Sequence, residues 1–294
     1  MADRASIDPG NPAPGTQMTS SRDIPSYRQV AAAVLSAAQP LEKCEAAARA
    51  YQMLADGRIS SDHDAGNPPP DRPARPKKPE LLPPNQVPRR RLGTPEGRFA
   101  LLHAVAHIEL NAIDLAFDMA GRFASEIDSL GLDAGHFVED WFCVGADEAR
   151  HFKLLHDALV EYGGGYGDLP AHDGLWQIAA DTSDSVLARL AIAPMVLEAR
   201  GLDVTPGMIE KFEKIGDDKN ASRLTVIYRD EVGHVEKGVF WFNAVCQAKK
   251  LVPEPTFRSL VRSRFAGQLK PPFNQDARRR ANLTPEYYDT FVQS

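Results

Sequence analysis

The chain has 294 residues and a formal net charge of −6, with 43% hydrophobic and 25% charged residues. This composition is typical of a globular protein with a sizeable core, and its mild acidity gives no general argument for nucleic-acid or membrane binding. The three cysteines, Cys44, Cys143 and Cys246, are too few and too scattered for a disulfide framework or a cysteine-based zinc site. Because we find neither a signal pattern nor a run near the roughly 18 apolar residues of a membrane span, we expect a cytoplasmic protein with no membrane partner.

The N-terminal third divides by composition into three segments. Residues 1–25 are rich in Pro, Gly, Ser and Asp and predict a disordered tail. Residues 26–65 predict a helical region broken near Pro40. Residues 66–93 predict an extended linker or a strap over the surface, because nine prolines and a local charge of +5 fall within 66–92. A solvated linker is favoured there over an RNA contact, since no aromatic residues are interleaved for base stacking.

Helix signals return at Thr94, which is suited to the N-cap position, and Pro95, which is suited to the first helical position. The apolar periodicity predicts four long helices, at 95–122, 135–162, 184–202 and 219–247, and two shorter ones, at 206–215 and 254–267. The predicted fold is therefore all-α, a four-helix bundle over 94–250 with a C-terminal extension over 251–294. That extension has a local charge of +3 and is expected to be solvated, to cover the bundle end or to bind an anionic substrate.

Each long helix carries one glutamate in phase with its apolar side chains. These residues are Glu109, Glu148, Glu198 and Glu231. On the second and fourth helices a histidine follows three residues later, where side chains at i and i+3 meet; these are His151 and His234. The opposite side of the first helix is expected to face solvent. It carries His103, Asn111, Asp114, Asp118 and Arg122.

A lone buried carboxylate costs several kcal/mol unless it is paired or binds a metal. We find no Lys or Arg on the predicted apolar faces to pair with the four glutamates. Two divalent ions would balance four negative charges, and mixed Glu/His ligation suits iron or manganese. The alternative is four glutamates that are protonated or hydrogen-bonded and hold no metal.

The motifs EARHF at 148–152 and DEVGHVEKG at 230–238 resemble the two Glu-x-x-His helices of the ferritin-like di-iron superfamily. The segments AHIELNAIDLAFD, VGADEARHF, APMVLEARGLD and LKPPFN more closely resemble a bacterial ferritin-like family known only as a domain of unknown function. In fold, the chain is also distantly similar to the di-iron hydroxylase that modifies a tRNA base. The resemblance implies that Glu148 and Glu231 bridge two metals, that Glu109 and Glu198 are terminal ligands, and that each histidine holds one metal.

Other residues have weaker signals. His103 and His107 are four residues apart, and a polar contact with the N-terminal helix is favoured over metal ligation. Tyr228 lies one turn before Glu231 and is considered as a redox or hydrogen-bonding residue beside the site, although a core tyrosine is also consistent with the pattern. Pro194 is expected to bend its helix and free a carbonyl.

Three classes of function follow from these features. The first is an oxygen-activating di-iron oxidase or hydroxylase, which would need dioxygen, an external reductant and an unknown small molecule or modified nucleoside as substrate. The second is an iron-handling protein of the ferroxidase type without an organic substrate. The third is a metal-free helical interaction module. The ligand pattern argues against the third class, and the additions at both ends of the bundle favour the first over the second. A homodimer is also considered.

Overall fold

The computed structural model describes residues 24–60, 62, 66–83, 86–87 and 93–291. Over these ranges the chain forms helices α1 (Tyr27–Ser36), α2 (Pro40–Ala55), α3 (Pro95–Ser129), α4 (Ala134–Glu161), α5 (Gly174–Asp181), α6 (Val186–Ile192), α7 (Ala199–Lys214), α8 (Asp218–Ala248), α9 (Pro253–Arg264), α10 (Gln275–Arg280) and α11 (Pro285–Tyr288). A π-helical turn, Ala193–Glu198, joins α6 to α7, and a 3-10 turn, Asp289–Phe291, follows α11. The described residues form isolated bridges but no strand, so the all-α prediction is confirmed. The tail predicted over 1–25 lies outside the described residues except for its last two.

The long helices begin at side-chain caps. Thr94 accepts a hydrogen bond from the Gly97 amide, with Pro95 at the first helical position, as predicted. Asp133 and Asp217 cap α4 and α8 in the same way. Each cap satisfies a backbone N–H that the helix itself leaves without an acceptor, so the starts of these helices are encoded locally.

The prediction of two separate helices at 184–202 and 206–215 was wrong. From Val186 to Lys214 the helical backbone is continuous through the π turn, and Pro206 lies inside α7. Proline removes the hydrogen bond to the carbonyl four residues earlier, here that of Leu202. The Asn274 side-chain amide, in the C-terminal extension, donates to this carbonyl at 3.1 Å. A contact distant in sequence therefore compensates for the proline, and the local sequence does not reveal it.

The long helices pack around one core. α3 packs along α4, and α8 contacts α4, α6 and α7. Large aromatic side chains fill one part of this core; Phe137 meets Trp241 edge-on with ring centroids 5.1 Å apart. Burying such a side chain stabilises the fold by about 1.5–3 kcal/mol. α3 is longer than predicted and ends at Ser129, before Gly131, whose left-handed backbone (φ +72°) suits glycine.

The side of α3 expected to face solvent is buried, so that expectation was wrong. α1, α2 and the chain after α2 cover its polar side chains. Lys43 Nζ lies 2.5 Å from Asp114 Oδ1, and Arg75 Nη1 lies 2.9 Å from Asp114 Oδ2. Arg189 Nη1 lies 2.5 Å from Asp118 Oδ2. We call Asp114, Asp118 and these three cations the paired face of α3. Its charges are matched inside the protein.

The predicted contact of His103 and His107 with the N-terminal helix was also wrong. His103 Nε2 accepts from the Gly167 amide at 2.9 Å. His107 Nδ1 lies 2.8 Å from the Tyr166 hydroxyl and its Nε2 lies 3.0 Å from the His172 carbonyl oxygen. Burial lowers the pKa of His107 to about 4, so its ring is neutral and donates from Nε2. Both histidines hold the segment between α4 and α5.

The described part of the proline-rich segment is a strap packed on the surface rather than a solvated linker. The Ala74 amide donates to the Leu35 carbonyl, and the Leu82 amide donates to the Ala171 carbonyl, each at 2.8 Å. Arg75 points inward to Asp114, and Arg72 pairs with Asp173. These two arginines are therefore already engaged, whereas the basic run Arg89–Arg91 lies outside the described residues.

Within the described residues, one helix, α3, is long and apolar enough to cross a membrane by length and composition alone. However, 67% of its apolar window is buried inside the protein. Core helices pass the same test, so this feature is weak evidence for a membrane span.

Candidate metal centre

Helices α4 and α8 place the two Glu-x-x-His motifs against each other in the core. Glu148, His151, Glu231 and His234 are all buried. Glu148 lies between the two histidines: its Oε2 is 3.4 Å from His151 Nδ1, and its Oε1 is 3.1 Å from His234 Nδ1. His234 Nδ1 is also 3.8 Å from Glu231 Oε1. The i and i+3 spacing on each helix therefore brings two carboxylates and two imidazoles to one place.

The other two predicted glutamates come from α3 and the π turn. Glu109 Oε2 lies 3.1 Å from His151 Nδ1. One ligand atom from each of Glu109, Glu148, His151 and Glu231 can be chosen so that all lie within 4.8 Å of one another. Glu198 ends the π turn and lines the same cavity as the three other glutamates. We call these six residues the Glu/His cluster: Glu109, Glu148, His151, Glu198, Glu231 and His234.

The π turn is held by close packing of α6–α7 against α8. Pro194 lies on Gly238, where an added Cβ would come within 2.5 Å of the proline Cβ. Glycine therefore allows the two helices to approach at this level. Proline also cannot donate its backbone nitrogen, which favours a local departure from α-helical bonding. Such turns occur frequently at functional sites, and this one ends at a cluster residue.

Several buried polar atoms in the cluster make no hydrogen bond of normal geometry within the described part of the chain. They are both carboxylate oxygens of Glu148, Oε2 of Glu198, Oε2 of Glu231 and Nδ1 of His234. Buried polar atoms are nearly always hydrogen-bonded, because an unsatisfied group costs free energy. Converging oxygens and an imidazole nitrogen without donors are what a bound cation would satisfy. The residues present therefore fit a metal site, and the cluster could hold metal ions.

Two aspartates that sequence analysis did not select lie behind the histidines. His151 Nε2 donates to Asp230 Oδ2 at 2.9 Å, and His234 Nε2 faces Asp147 Oδ2 at 3.5 Å. Each aspartate is on the other helix from the histidine it contacts. A carboxylate at Nε2 fixes the proton there and leaves the Nδ1 lone pair free to bind a metal. The available signal was the repeated Asp-Glu pair in DEARH and DEVGH.

Arg150 connects these two aspartates at the surface. One of its terminal nitrogens lies 3.0 Å from Asp147 Oδ1 and 2.5 Å from Asp230 Oδ2. Hydrogen bonds from His151 and then Arg150 lower the pKa of Asp230 to about 2, although burial opposes this shift. Both aspartates are therefore ionised at neutral pH and hold the two histidines in one orientation.

The glutamates do not share one electrostatic environment. Burial raises the pKa of Glu109, and the charge of Glu148 adds to this effect. Burial followed by the charge of Glu231 raises the pKa of Glu198. For Glu148 burial acts in the same sense, but the close approach of His151 and His234 outweighs it and lowers its pKa. In the metal-free protein Glu148 is therefore ionised, and its negative charge disfavours ionisation of the neighbouring glutamates.

A cavity of about 250 Å³ opens onto the cluster. Its floor includes Glu109, Glu148, Glu198 and Glu231, and its walls are mostly aliphatic side chains from α3, α7 and α8. Tyr228, one turn before Glu231, does not line this cavity. Its hydroxyl accepts hydrogen bonds from Asn274 at 3.1 Å and Arg280 at 3.3 Å, both in the C-terminal extension. A redox role for Tyr228 stays a prediction.

The fold and the cluster define an all-α protein with a buried glutamate and histidine centre that could hold metal. The chain belongs to the family described as "Protein of unknown function (DUF455)", whose model matches residues 36–289. It is similar to an uncharacterized protein of Haemophilus influenzae, with 40% identity over 214 residues, 73% of this chain and 74% of that protein. No solved structure matches the chain significantly. The predicted resemblance to an uncharacterised bacterial family is confirmed.

Proposed function

We propose that the chain is a ferritin-like di-iron carboxylate protein that activates dioxygen as an oxidase or hydroxylase, with manganese or a mixed manganese–iron pair as the other metal contents. The observation that carries the proposal is the set of buried oxygens and an imidazole nitrogen that converge without donors. Four glutamates and two histidines from four helical segments supply the ligands. Mixed carboxylate and imidazole ligation suits iron and manganese better than metals that prefer thiolates.

The position of Glu148 between both histidines suits a bridging ligand. By the family resemblance Glu231, Glu109 and Glu198 would also hold the metals. Asp230 and Asp147 hold the Nε2 protons of His151 and His234, which directs each Nδ1 toward the carboxylates. When bound, a reduced metal pair supplies electrons and open coordination positions to dioxygen, and an external reductant restores it.

The buried environment favours divalent ions for electrostatic reasons. Four carboxylates confined among apolar side chains repel one another and are poorly solvated, which raises the pKa of three of them. Two divalent cations would neutralise the four charges and let all four ionise. The histidines then act as neutral ligands, since their protons are held at Nε2 by the two aspartates.

The adjoining cavity favours an enzyme over an iron store. An organic substrate needs space beside the metals, and about 250 Å³ lies there with a mostly aliphatic wall. The strap contacts α3 through Arg75, and the C-terminal extension contacts α7 through Asn274, which suits controlled access to the site. A cytoplasmic location and a homodimer stay predictions.

The test is an anaerobic ferrous titration followed by an oxygen pulse, with iron counted after gel filtration. We expect oxidation that saturates near two irons per chain, retention of that iron, and further turnover only when a reductant is added. No mineral should accumulate, because the metals stay in the ligand cage. Retention of tens of irons per chain would instead identify an iron store without an organic substrate.

A further inference from the structure

The cavity beside the Glu/His cluster has the character of a substrate site. We infer that it binds a small organic acid with an aliphatic or aromatic body, whose carboxylate lies at Arg200 and whose apolar end lies toward the cluster. The reaction of the bound acid rests on the proposed function, but its binding does not require the metals. The inference names the substrate class that a hydroxylase or oxidase of this shape would take.

The apolar character of the ligand follows from the wall. Aliphatic side chains dominate it, among them Val105, Leu175, Leu197, Val204 and Met208. Ile108, at the open side, is 47% exposed although α3 is otherwise largely buried. An apolar ligand would cover this surface and gain the free energy of removing it from water. A strongly polar ligand would find few partners along such a wall.

Much of the space exists because residue 201 is glycine. Gly201 lines the cavity from α7, and a Cβ built at this position would meet no atom within 4 Å. A larger side chain there would project into open space without displacing the backbone. Glycine inside a helix costs about 0.5–1 kcal/mol relative to alanine. The empty space at this point is therefore accompanied by a loss of helix stability.

Arg200 indicates that the ligand carries an anionic head group. Its side chain lines the cavity and is 44% exposed, whereas the cluster glutamates are at the buried end. One of its five N–H donors is bonded to the Lys270 carbonyl at 2.8 Å. Asp203, the nearest carboxylate at 3.5 Å, already accepts two shorter bonds from Arg278, at 2.9 Å and 2.7 Å. Arg200 therefore keeps donors and charge for a carboxylate.

The polarity of the cavity argues against a nucleoside. A nucleoside has a base and a polar ribose, and both need hydrogen-bond partners along the wall. Outside the cluster, the polar side chains among the described residues of the lining are His172, Arg200 and Thr205. His172 already accepts a hydrogen bond from the Gly174 amide.

The experiment is calorimetric titration of the purified full-length protein with octanoate, 1-octanol and adenosine, with metal counted in each sample. We expect octanoate to bind at one per chain and adenosine not to bind. Gly201→Leu should weaken octanoate binding by at least about tenfold, which equals about 1.4 kcal/mol. Val204→Phe is a second variant that fills the cavity. Gly207→Leu is the matched control, because Gly207 is also on α7 with open space at its Cβ but does not line the cavity.

Arg200→Met tests the orientation of the ligand. It should weaken octanoate binding about tenfold and leave octanol binding within about twofold, since a hydrogen bond to a charged group is lost only for the acid. Equal losses for both ligands would overturn the assignment of the carboxylate to Arg200. Three results would overturn the inferred substrate class. The first is no octanoate binding, and the second is equal octanoate binding by Gly201→Leu and wild type. The third is adenosine binding that Gly201→Leu abolishes. A metal count well below one in a sample that binds octanoate would reject the proposed function and leave the cavity assignment standing.

Discussion

The two sides of α3 solve the same electrostatic problem in different ways. Glu109 on one side, and Asp114 and Asp118 on the other, are all buried. On the paired face, Asp114 lies against Lys43 and Arg75, and Asp118 lies against Arg189 and Arg122. In the Glu/His cluster, the ion pairs of the glutamates within the described ranges are with histidines alone.

The difference shows what a buried carboxylate requires. A charge removed from water costs several kcal/mol unless an opposite charge accompanies it. The paired face brings its own cations from α2, the strap and α6, so its charges are matched as soon as the chain folds. Among the described residues, no Lys or Arg pairs with a cluster glutamate, and histidines are the charged partners. The cluster is therefore the side of α3 that we expect to take its positive charge from outside the chain.

The largest expected effect separates the two sides by metal content. Glu148→Gln keeps the shape of the side chain and removes the charge between the two histidines. We expect metal affinity at both positions to fall by more than the roughly 10- to 100-fold that loss of an outer partner costs. Asp114→Asn is the control and should keep its metal. Elemental analysis after gel filtration checks both variants, and full metal content in Glu148→Gln would contradict the comparison.

The second effect concerns stability without metal, and here Asp114→Asn should be affected more than Glu148→Gln. In Asp114→Asn, Lys43 stays buried without its carboxylate, so the free energy of unfolding should fall by about 3–5 kcal/mol. Glu148→Gln, measured in chelator-treated protein, should lose less, because His151 and His234 can release their extra protons and keep Asp230 and Asp147 as partners. Urea unfolding of both metal-free variants measures the difference. Equal losses would mean that the two buried sites are held together in the same way.

A third, smaller effect concerns the aspartates behind the histidines. Asp230→Asn should lower metal affinity by about 10- to 100-fold, because His151 loses the carboxylate that orients it. Asp147→Asn should have a weaker effect, since its distance to His234 is 3.5 Å rather than 2.9 Å. Asp157→Asn, an exposed change on the same helix α4, is the control. Chelator competition gives the affinities, and an unchanged affinity in Asp230→Asn would remove this aspartate from the site.

The smallest effect is a pH dependence confined to the metal-free protein. Burial raises the pKa of Glu109, Glu198 and Glu231 in the folded state. The pKa values of His151 and His234 are also raised, because hydrogen bonds to the carboxylates outweigh burial. All five groups then bind protons more tightly in the folded than in the unfolded state, so stability falls as pH rises.

We expect the metal-free protein to lose about 1–2 kcal/mol of stability between pH 6 and pH 8. The loaded protein should show a smaller slope, because metals replace the protons. Thermal unfolding at several pH values, with and without chelator, measures both slopes. A metal-free protein that becomes more stable as pH rises would contradict the sign of these shifts.

Sequence reasoning succeeded where the signal is periodic. The phase of each glutamate against its helix selected the four glutamates that line one cavity, because a helix fixes which side chains share a face. The same periodicity argument failed on the other side of α3. It shows that Asp114 and Asp118 share a face, but it does not show that α1, α2 and the strap cover that face. Periodicity describes one helix, whereas burial depends on what packs against it.

Other features depend on contacts that are distant in sequence. Asn274 bonds to the carbonyl that Pro206 leaves free, so a helix continues where a proline indicated a new start. The cavity arises partly from what Gly201 lacks, and an absent side chain leaves no pattern to read. Asp147 and Asp230 could have been found, because each directly precedes the glutamate of its motif.

The most direct test of the central claim is the metal content of the protein itself. Protein produced with iron and manganese supplied should be purified without chelator, and its metals should be counted and located by anomalous diffraction. We expect two iron or manganese ions per chain, bound by Glu109, Glu148, His151, Glu198, Glu231 and His234, with none on the paired face. A count well below one such ion per chain, or ions bound away from these six residues, would contradict the account.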